Sequence, residues 1–220
     1  MDLEVRAKAL KIKKLNELIL GLGWSPISMD GQQFDLDVSV LAIGENGKVL
    51  GDAWFIFYNQ LTSPDAAKSI RHSGDNIDGE GEGDDERVKV NLTTLPPEVK
   101  KLVFTVSIHE AEERKQTFDQ VGEAYIRVLT PDPNYVPLQF GGLSEEELLE
   151  FGLTNEDTGL LVMTRFDLTK SAKGETIMIF GEVYRHKPLF GDETWKFRAI
   201  GEGYDNGLEG LAADYGVNVA

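Results

Sequence analysis

The chain is predicted to be all-β: a two-sheet β-sandwich with a few short helices. Three observations predict it. Apolar and polar residues alternate with period two through most of the 220 residues. Helical periodicity is confined to two short stretches. Gly, Pro and Asn clusters separate the alternating runs at short intervals, as in sandwiches and barrels. A closed barrel satisfies the same pattern, so the alternation alone leaves that architecture open.

Leu15–Leu22 reads as a first strand. Phe34, Leu36, Val38 and Val40 then alternate with Asp35, Asp37, Ser39 and Leu41, which predicts a strand with one face in the core. Glu45-Asn-Gly-Lys48 supplies an Asn-Gly hairpin turn. The aromatic and β-branched run Ala53–Tyr58 reads as a buried strand. Val88, Val90 and Leu92 alternate again, and Leu95-Pro-Pro-Glu98 interrupts the chain. Leu102, Phe104, Val106 and Ile108 mark the next strand. Further strands are expected at Ala124–Leu129, Leu160–Leu168, Thr176–Tyr184 and Thr194–Ile200. Ser144-Glu-Glu-Glu147, followed by Leu148, Leu149 and Phe151, has capping-box spacing. Asn206–Tyr215 predicts a short helix that packs Leu208, Leu211 and Ala212. No linker or composition shift divides the chain, so residues 1–220 are expected to form one domain. An excursion is expected at about 132–157.

Composition narrows the function classes. The formal net charge is −16, which disfavours direct binding to nucleic acid. No cysteine is present, so disulfides, thiolate metal sites and cysteine nucleophiles are excluded, and a reducing, cytoplasmic setting is expected. The start of the chain lacks the uninterrupted apolar core of a signal peptide. No apolar run reaches the ~18 residues of a membrane span. Lys8, Lys11, Lys13 and Lys14 make the beginning basic. That segment could lie on an anionic membrane, although docking onto the chain's own acidic body or onto a second subunit suits the charge better.

Asp75-Asn-Ile-Asp-Gly-Glu-Gly-Glu-Gly-Asp-Asp-Glu86 holds seven carboxylates, one carboxamide, three glycines and no basic residue. Like charges ~6 Å apart repel by roughly 0.7 kcal/mol per pair even in water. Hard oxygen ligands on a glycine-rich backbone suit calcium, with magnesium second. Zinc and copper are disfavoured, because only His72, His109 and His186 offer nitrogen. The EF-hand pattern fails, since Ile77 and Gly79 occupy its third and fifth positions. The calcium nonapeptide pattern fails as well. Asp35 and Asp37 stand two apart on one strand and so share a face. Beside the acidic loop they give enough oxygens for one calcium ion or two. The competing reading is an acidic loop that is merely solvated.

Other residues carry less. His109-Glu-Ala-Glu112 and His186 lie at strand ends, where a hydrogen-bonded histidine is expected rather than a catalytic one. No nucleophile elbow and no P-loop is present. Trp24, Trp54 and Trp195 read as core or edge aromatics.

Gly21-Leu-Gly-Trp24, Asp30-Gly-Gln-Gln-Phe-Asp-Leu-Asp37, Phe55-Ile-Phe-Tyr-Asn59, Ser73-Gly-Asp-Asn76 and Gly79-Glu-Gly-Glu-Gly-Asp-Asp-Glu86 resemble the TerD family of tellurite-resistance and stress proteins. So do Ile108-His-Glu-Ala-Glu112, Phe180-Gly-Glu-Val-Tyr-Arg-His186, Trp195-Lys-Phe-Arg-Ala199 and Asp214-Tyr-Gly-Val217. The resemblance implies a calcium-binding sandwich that is not an enzyme and works with other proteins of a bacterial stress-response complex. It implies ligands at Asp35, Asp37, Asp75, Asn76, Glu82, Asp84, Asp85 and Glu86, with backbone oxygens near Gly79 and Gly81. Asp78 falls where the pattern is loose. Residues 1–14 and the 132–157 excursion depart from the pattern, which bears on partners and oligomeric state rather than on the metal. The alternatives to this reading are a metal-dependent phosphoester or nucleotide enzyme and a metal-assisted small-molecule sensor.

Overall fold

Strand β1, Glu17–Trp24, places Leu18, Leu20 and Leu22 on one face, and all three are buried. In this computed structural model, which describes residues 15–26, 28–29, 32–80, 83–134, 157, 159–171, 174–204 and 207–217, β1 is the centre of a five-stranded sheet. The other strands are β2 (Ser28–Met29), β3 (Gln32–Gln33), β4 (Leu36–Ile43), β5 (Phe55–Ile56), β6 (Ile70–His72), β7 (Glu86–Asn91), β8 (Lys101–Ile108), β9 (Ala124–Pro131), β10 (Leu160–Asp167), β11 (Ile177–His186) and β12 (Thr194–Tyr204). The first sheet runs β10-β9-β1-β7-β6 and the second β12-β11-β8-β4-β5, while β2 and β3 pair as a small hairpin. All the pairings are antiparallel. Two packed antiparallel sheets make a β-sandwich, as the alternation predicts, and leave the barrel alternative behind.

The core fills the space between the sheets. Leu20, Leu22, Val88, Ile126 and Val128 come from the first sheet and Leu36, Val38, Val40, Phe104, Val106 and Phe180 from the second. The Phe104 and Phe180 rings stack at 5.7 Å. Every residue of β4 is nonetheless buried, because the outer face of the second sheet is covered as well. Helix α3, Gly207–Asp214, lays Leu211 and Ala212 over Leu41, Ile43, Val103, Ile177 and Ile179. It matches the predicted C-terminal helix. Two single-turn helices, α1 (Ala111–Arg114) and α2 (Leu168–Ser171), join strands. No helix among the described residues is long and apolar enough to cross a membrane.

Two strand expectations change. Ala53–Tyr58 is not one strand: a 3-10 turn takes Asp52–Trp54 and only Phe55–Ile56 joins the sheet. The backbone of Phe57 then exchanges hydrogen bonds with Gln60 in a tight turn. The aromatic run therefore folds back, with the Phe55 and Phe57 rings stacked at 4.8 Å. Strand β6 shows no alternation in the sequence and is created by pairing Ile70, Arg71 and His72 with Val90, Lys89 and Val88. The Asn46-Gly47 turn forms, with Gly44 N donating to Lys48 O. The pairing that follows is short: Val49 bridges Ile43 and Leu50 N donates to Ala42 O, while Val49 N donates to Tyr215 O just beyond α3. The Ser144–Phe151 segment and most of the 132–157 excursion lie outside the described residues, as do residues 1–14.

Candidate metal centre

β5 pairs only with Val40 and Leu41 of β4, so the first half of β4 has an open edge. Its backbone groups need partners, because an unpaired buried amide or carbonyl costs ~1–3 kcal/mol. Val38 finds both on the opposite sheet. Its N–H donates to Glu86 Oε2 at 2.9 Å, and His72 Nε2 lies 3.1 Å from its carbonyl oxygen. Gly74 N donates to His72 Nδ1 at 3.1 Å. These partners assign His72 as the neutral tautomer with its proton on Nε2. The Glu86 carboxylate is wholly buried, 3.5 Å from that ring. Glu86 and His72 thus latch the second sheet to the first.

Above this latch the alternation of β4 turns Asp37 outward, and Asp35 just before the strand follows it. The Asp35 carbonyl accepts from His109 N at 2.8 Å and continues the β4–β8 pairing. Asp75, from the loop after β6, completes a trio. One carboxylate oxygen from each of Asp35, Asp37 and Asp75 lies within 4.8 Å of the others. Ligands on opposite sides of a calcium ion at ~2.4 Å stand ~4.8 Å apart, so the trio has the dimensions of a divalent-ion site. Asp35 and Asp37 are only 7% and 4% exposed. Asp35 Oδ1 is buried without a hydrogen-bond partner among the described residues, an unmet acceptor beside two further carboxylates.

The electrostatics agree with the geometry. Burial raises the Asp37 pKa to about 8, assisted by the charges of Glu86, Asp35 and Asp75. Burial, partly opposed by His109 and further raised by Asp75, lifts Asp35 to about 6. A hard cation would hold both ionised. His109 stands in the turn after β8, with Nδ1 3.9 Å from Asp37 and Nε2 3.6 Å from Glu110. The Tyr58 ring meets it edge-on. Glu110 and Lys115 flank α1 in the left-handed region at φ 50° and 54°, a conformation that costs non-glycine residues roughly 1–2 kcal/mol each.

The remaining loop residues are placed as follows. Asn76 Oδ1 accepts from Asp78 N and Gly79 N at 3.2 and 2.9 Å, which forms an Asx turn. Gly79 has φ 66° and lies against the Trp24 indole so closely that a Cβ there would stand 2.5 Å from Nε1. Trp24 Nε1 donates to Phe34 O at 3.0 Å, and Trp24 N donates to Asp85 Oδ2 at 2.8 Å. Trp24 therefore ties the middle of the acidic loop, at Gly79, and its end, at Asp85, to the approach of β4. Glu86 forms the floor. Gly81 and Glu82 lie outside the described residues.

Asp84 lies over β1. Its carboxylate accepts from Arg127 Nε and Nη2 at 2.6 and 2.9 Å and from Tyr125 Oη at 3.1 Å, and pairs with Arg87 Nε at 2.9 Å. Asp157 pairs with the same two arginines, at 2.7 Å to Arg87 and 2.8 Å to Arg127. The register explains the arrangement: Gly21 stands directly between Arg87 and Arg127 across three strands. A Cβ on Gly21 would fall 2.1 Å from Asp84 Oδ2. Gly21→Ala is accordingly expected to lower stability by about 1–3 kcal/mol, read by urea unfolding. An unchanged midpoint would contradict the close approach.

The trio and Glu86 are therefore brought together, with Asn76 and Asp85 shaping the loop and Asp84 spent on arginines. Sequence reasoning missed His72, Arg87, Arg127, Tyr125 and Asp157. One signal was available: Gly21 and Gly23 alternate with buried leucines, and outward glycines in a strand mark a close approach.

A family model described as the TerD domain matches residues 5–159 and 140–215. Tellurium resistance protein TerD of Serratia marcescens is 44% identical over 206 residues, covering 94% of this chain and 90% of that protein. General stress protein 16U of Bacillus subtilis (strain 168) is 41% identical, covering 93% and 90%. The crystal structure of a homologue of telluride resistance protein (TerD) from Streptomyces coelicolor A3(2) superposes with a TM-score of 0.64 at 18% identity, covering 90% of this chain and 95% of that one. At that identity the likeness speaks for the fold.

Proposed function

Because the chain belongs to the TerD family of tellurium-resistance and stress-response proteins, we propose that it is a calcium-binding, non-enzymatic stress-response protein. In this reading Asp35, Asp37 and Asp75 hold the ion, with Glu86 beneath them. Calcium orders the acidic loop, and the ordered surface engages other proteins of a stress-response complex in the cytoplasm. The observation that carries the reading is the buried, partnerless Asp35 oxygen within a trio of carboxylates of calcium dimensions. The donors are all oxygen, which suits calcium over softer metals. What the ion supplies is charge neutralisation and a fixed loop conformation. The residues do the rest: Asp75 draws the loop to the strand, and Trp24 and Glu86 hold its flanks.

Calorimetric titration tests the site. Micromolar calcium binding is expected in the wild type, and Asp35→Asn/Asp37→Asn should weaken it by at least ~100-fold, about 3 kcal/mol. Equal affinity in the double variant would remove the ion from these residues. A panel of phosphate esters with calcium, magnesium and manganese should show no turnover.

A further inference from the structure

We propose that the hairpin joining β11 to β12 inserts its tip into the surface of a lipid bilayer. Leu189 and Phe190 are 97% and 94% exposed, side by side in the loop between His186 and Thr194. Single exposed apolar residues are ordinary, but an adjacent pair stripped of nearly all contact is not. The next most exposed large hydrophobic side chain among the described residues is Ile77, at 62%.

The pair is held out from the body of the protein. Arg185 braces the base of the hairpin. Its Nε donates to Val99 O at 2.8 Å, its Nη2 to Leu95 O and Pro96 O at 3.1 Å, and its Nη1 to Glu193 Oε1 at 2.8 Å. The same guanidinium lies 4.5 Å over the Trp195 ring, and Trp195 Nε1 donates to Leu92 O at 3.0 Å. Pro188, with its fixed φ, and Gly191, at φ 113°, bracket the apolar pair and set the turn that carries it.

The place of the hairpin in the fold selects the occupant. Asp37 pairs with Ser107 and Ser107 with Ile177, at the start of β11, whereas Ile43 pairs with Lys101 and Lys101 with Tyr184, near its end. The hairpin therefore projects from the end of the sandwich opposite the aspartate trio, ~20 Å or more away at ~3.3 Å per residue. The acidic loop, a large part of the net charge of −16, stands at that other end. Around the hairpin, acids are matched with bases. Glu45 pairs with Lys100, Glu182 with Lys101 and Glu193 with Arg185, and exposed Lys187 beside the apolar pair offsets Asp192. Anionic headgroups repel the acidic end and not this one, so the charge distribution turns the tip toward a membrane. A convex tip of two side chains covers roughly a few hundred Å², short of the ~1,200 Å² that a specific protein interface buries. A bilayer requires no complementary wall, only apolar side chains that reach below the headgroups with a cation at their level.

The test uses the full chain with vesicles of phosphatidylcholine alone and of phosphatidylcholine mixed equally with phosphatidylglycerol. Sedimentation with both is expected, to the same extent in calcium and in chelator. Leu189→Ser/Phe190→Ser should lower partitioning at least ~10-fold with an unchanged urea midpoint, because both side chains stand clear of the core. Phe190→Trp should bring its indole within quenching reach of brominated acyl chains. Partitioning that the double variant keeps would move the contact to the basic start of the chain or, if it needs calcium, to the acidic end, and either result overturns the tip assignment. A wild type that stays off both kinds of vesicle overturns it as well. Self-association that the double variant loses, without vesicle binding, would make the occupant a second copy of the chain and overturn the lipid.

Discussion

Replacing Arg127 by methionine is expected to lower the unfolding free energy by about 3–5 kcal/mol, among the largest losses available in this protein. The Arg127 side chain is 2% exposed, and its partners Asp84 and Asp157 are fully buried. Burial alone would lower the arginine pKa, but hydrogen bonds and charge from Asp84 and Asp157 outweigh it and raise the pKa. Its removal leaves two buried carboxylates sharing Arg87. Breaking such a pair from one side leaves an uncompensated charge, whereas replacing all members by apolar groups can be neutral. Urea unfolding of the variant reads the effect, with exposed Arg71→Met as a control expected to stay within ~0.5 kcal/mol. A loss below ~1 kcal/mol at Arg127 would mean the quartet is not closed in solution.

The second large effect is a stability that falls as pH rises when calcium is withheld. Asp37 and Asp35 titrate near 8 and 6 in the folded chain and near 3.9 when unfolded. Between about pH 4 and 8 the folded state therefore binds more protons than the unfolded state, so the unfolding free energy declines with pH. The contribution is complete below pH 4, is lost as pH passes 6 and then 8, and amounts to as much as ~8 kcal/mol in sum. Bound calcium would hold both groups ionised and should abolish the slope. Its binding at pH 6.5 should release at least one proton, measurable by calorimetry in buffers of different ionisation enthalpy. The urea midpoint in chelator should be lower at pH 8.5 than at pH 5, and calcium should restore it. A midpoint in chelator that climbs over this range would refute the assignment of Asp37 as a buried, crowded carboxylate.

Much of this was readable before any fold was known, and the reasons are local. Asp35 and Asp37 were legible because strand parity sends alternate residues to one face. Asp75 was legible because a concentration of like charge calls for a counterion. The roles of Glu86 and His72 were not, because they depend on β5 being too short to cover the edge at Val38, and Ala53–Tyr58 reads as a full strand. The two arginines were hidden for a related reason. Arg87 and Arg127 are 40 positions apart, and only the register across Gly21 brings them to one carboxylate. Long-range register is set by the whole sandwich, not by any window of sequence. The same holds for Asp84, which looks like one more acid of the loop until its partners are seen.

The double grip on Val38 places the aspartate trio on a seam. Asp35 and Asp37 belong to one layer, while Asp75 and Glu86 belong to the other. An ion held there would act as a rivet, and whatever pries the layers apart would loosen its hold. By reciprocity, filling the site must tighten the closure of the sandwich by the same free energy. Ion occupancy would then register mechanical or thermal strain across the whole protein, not only the calcium around it.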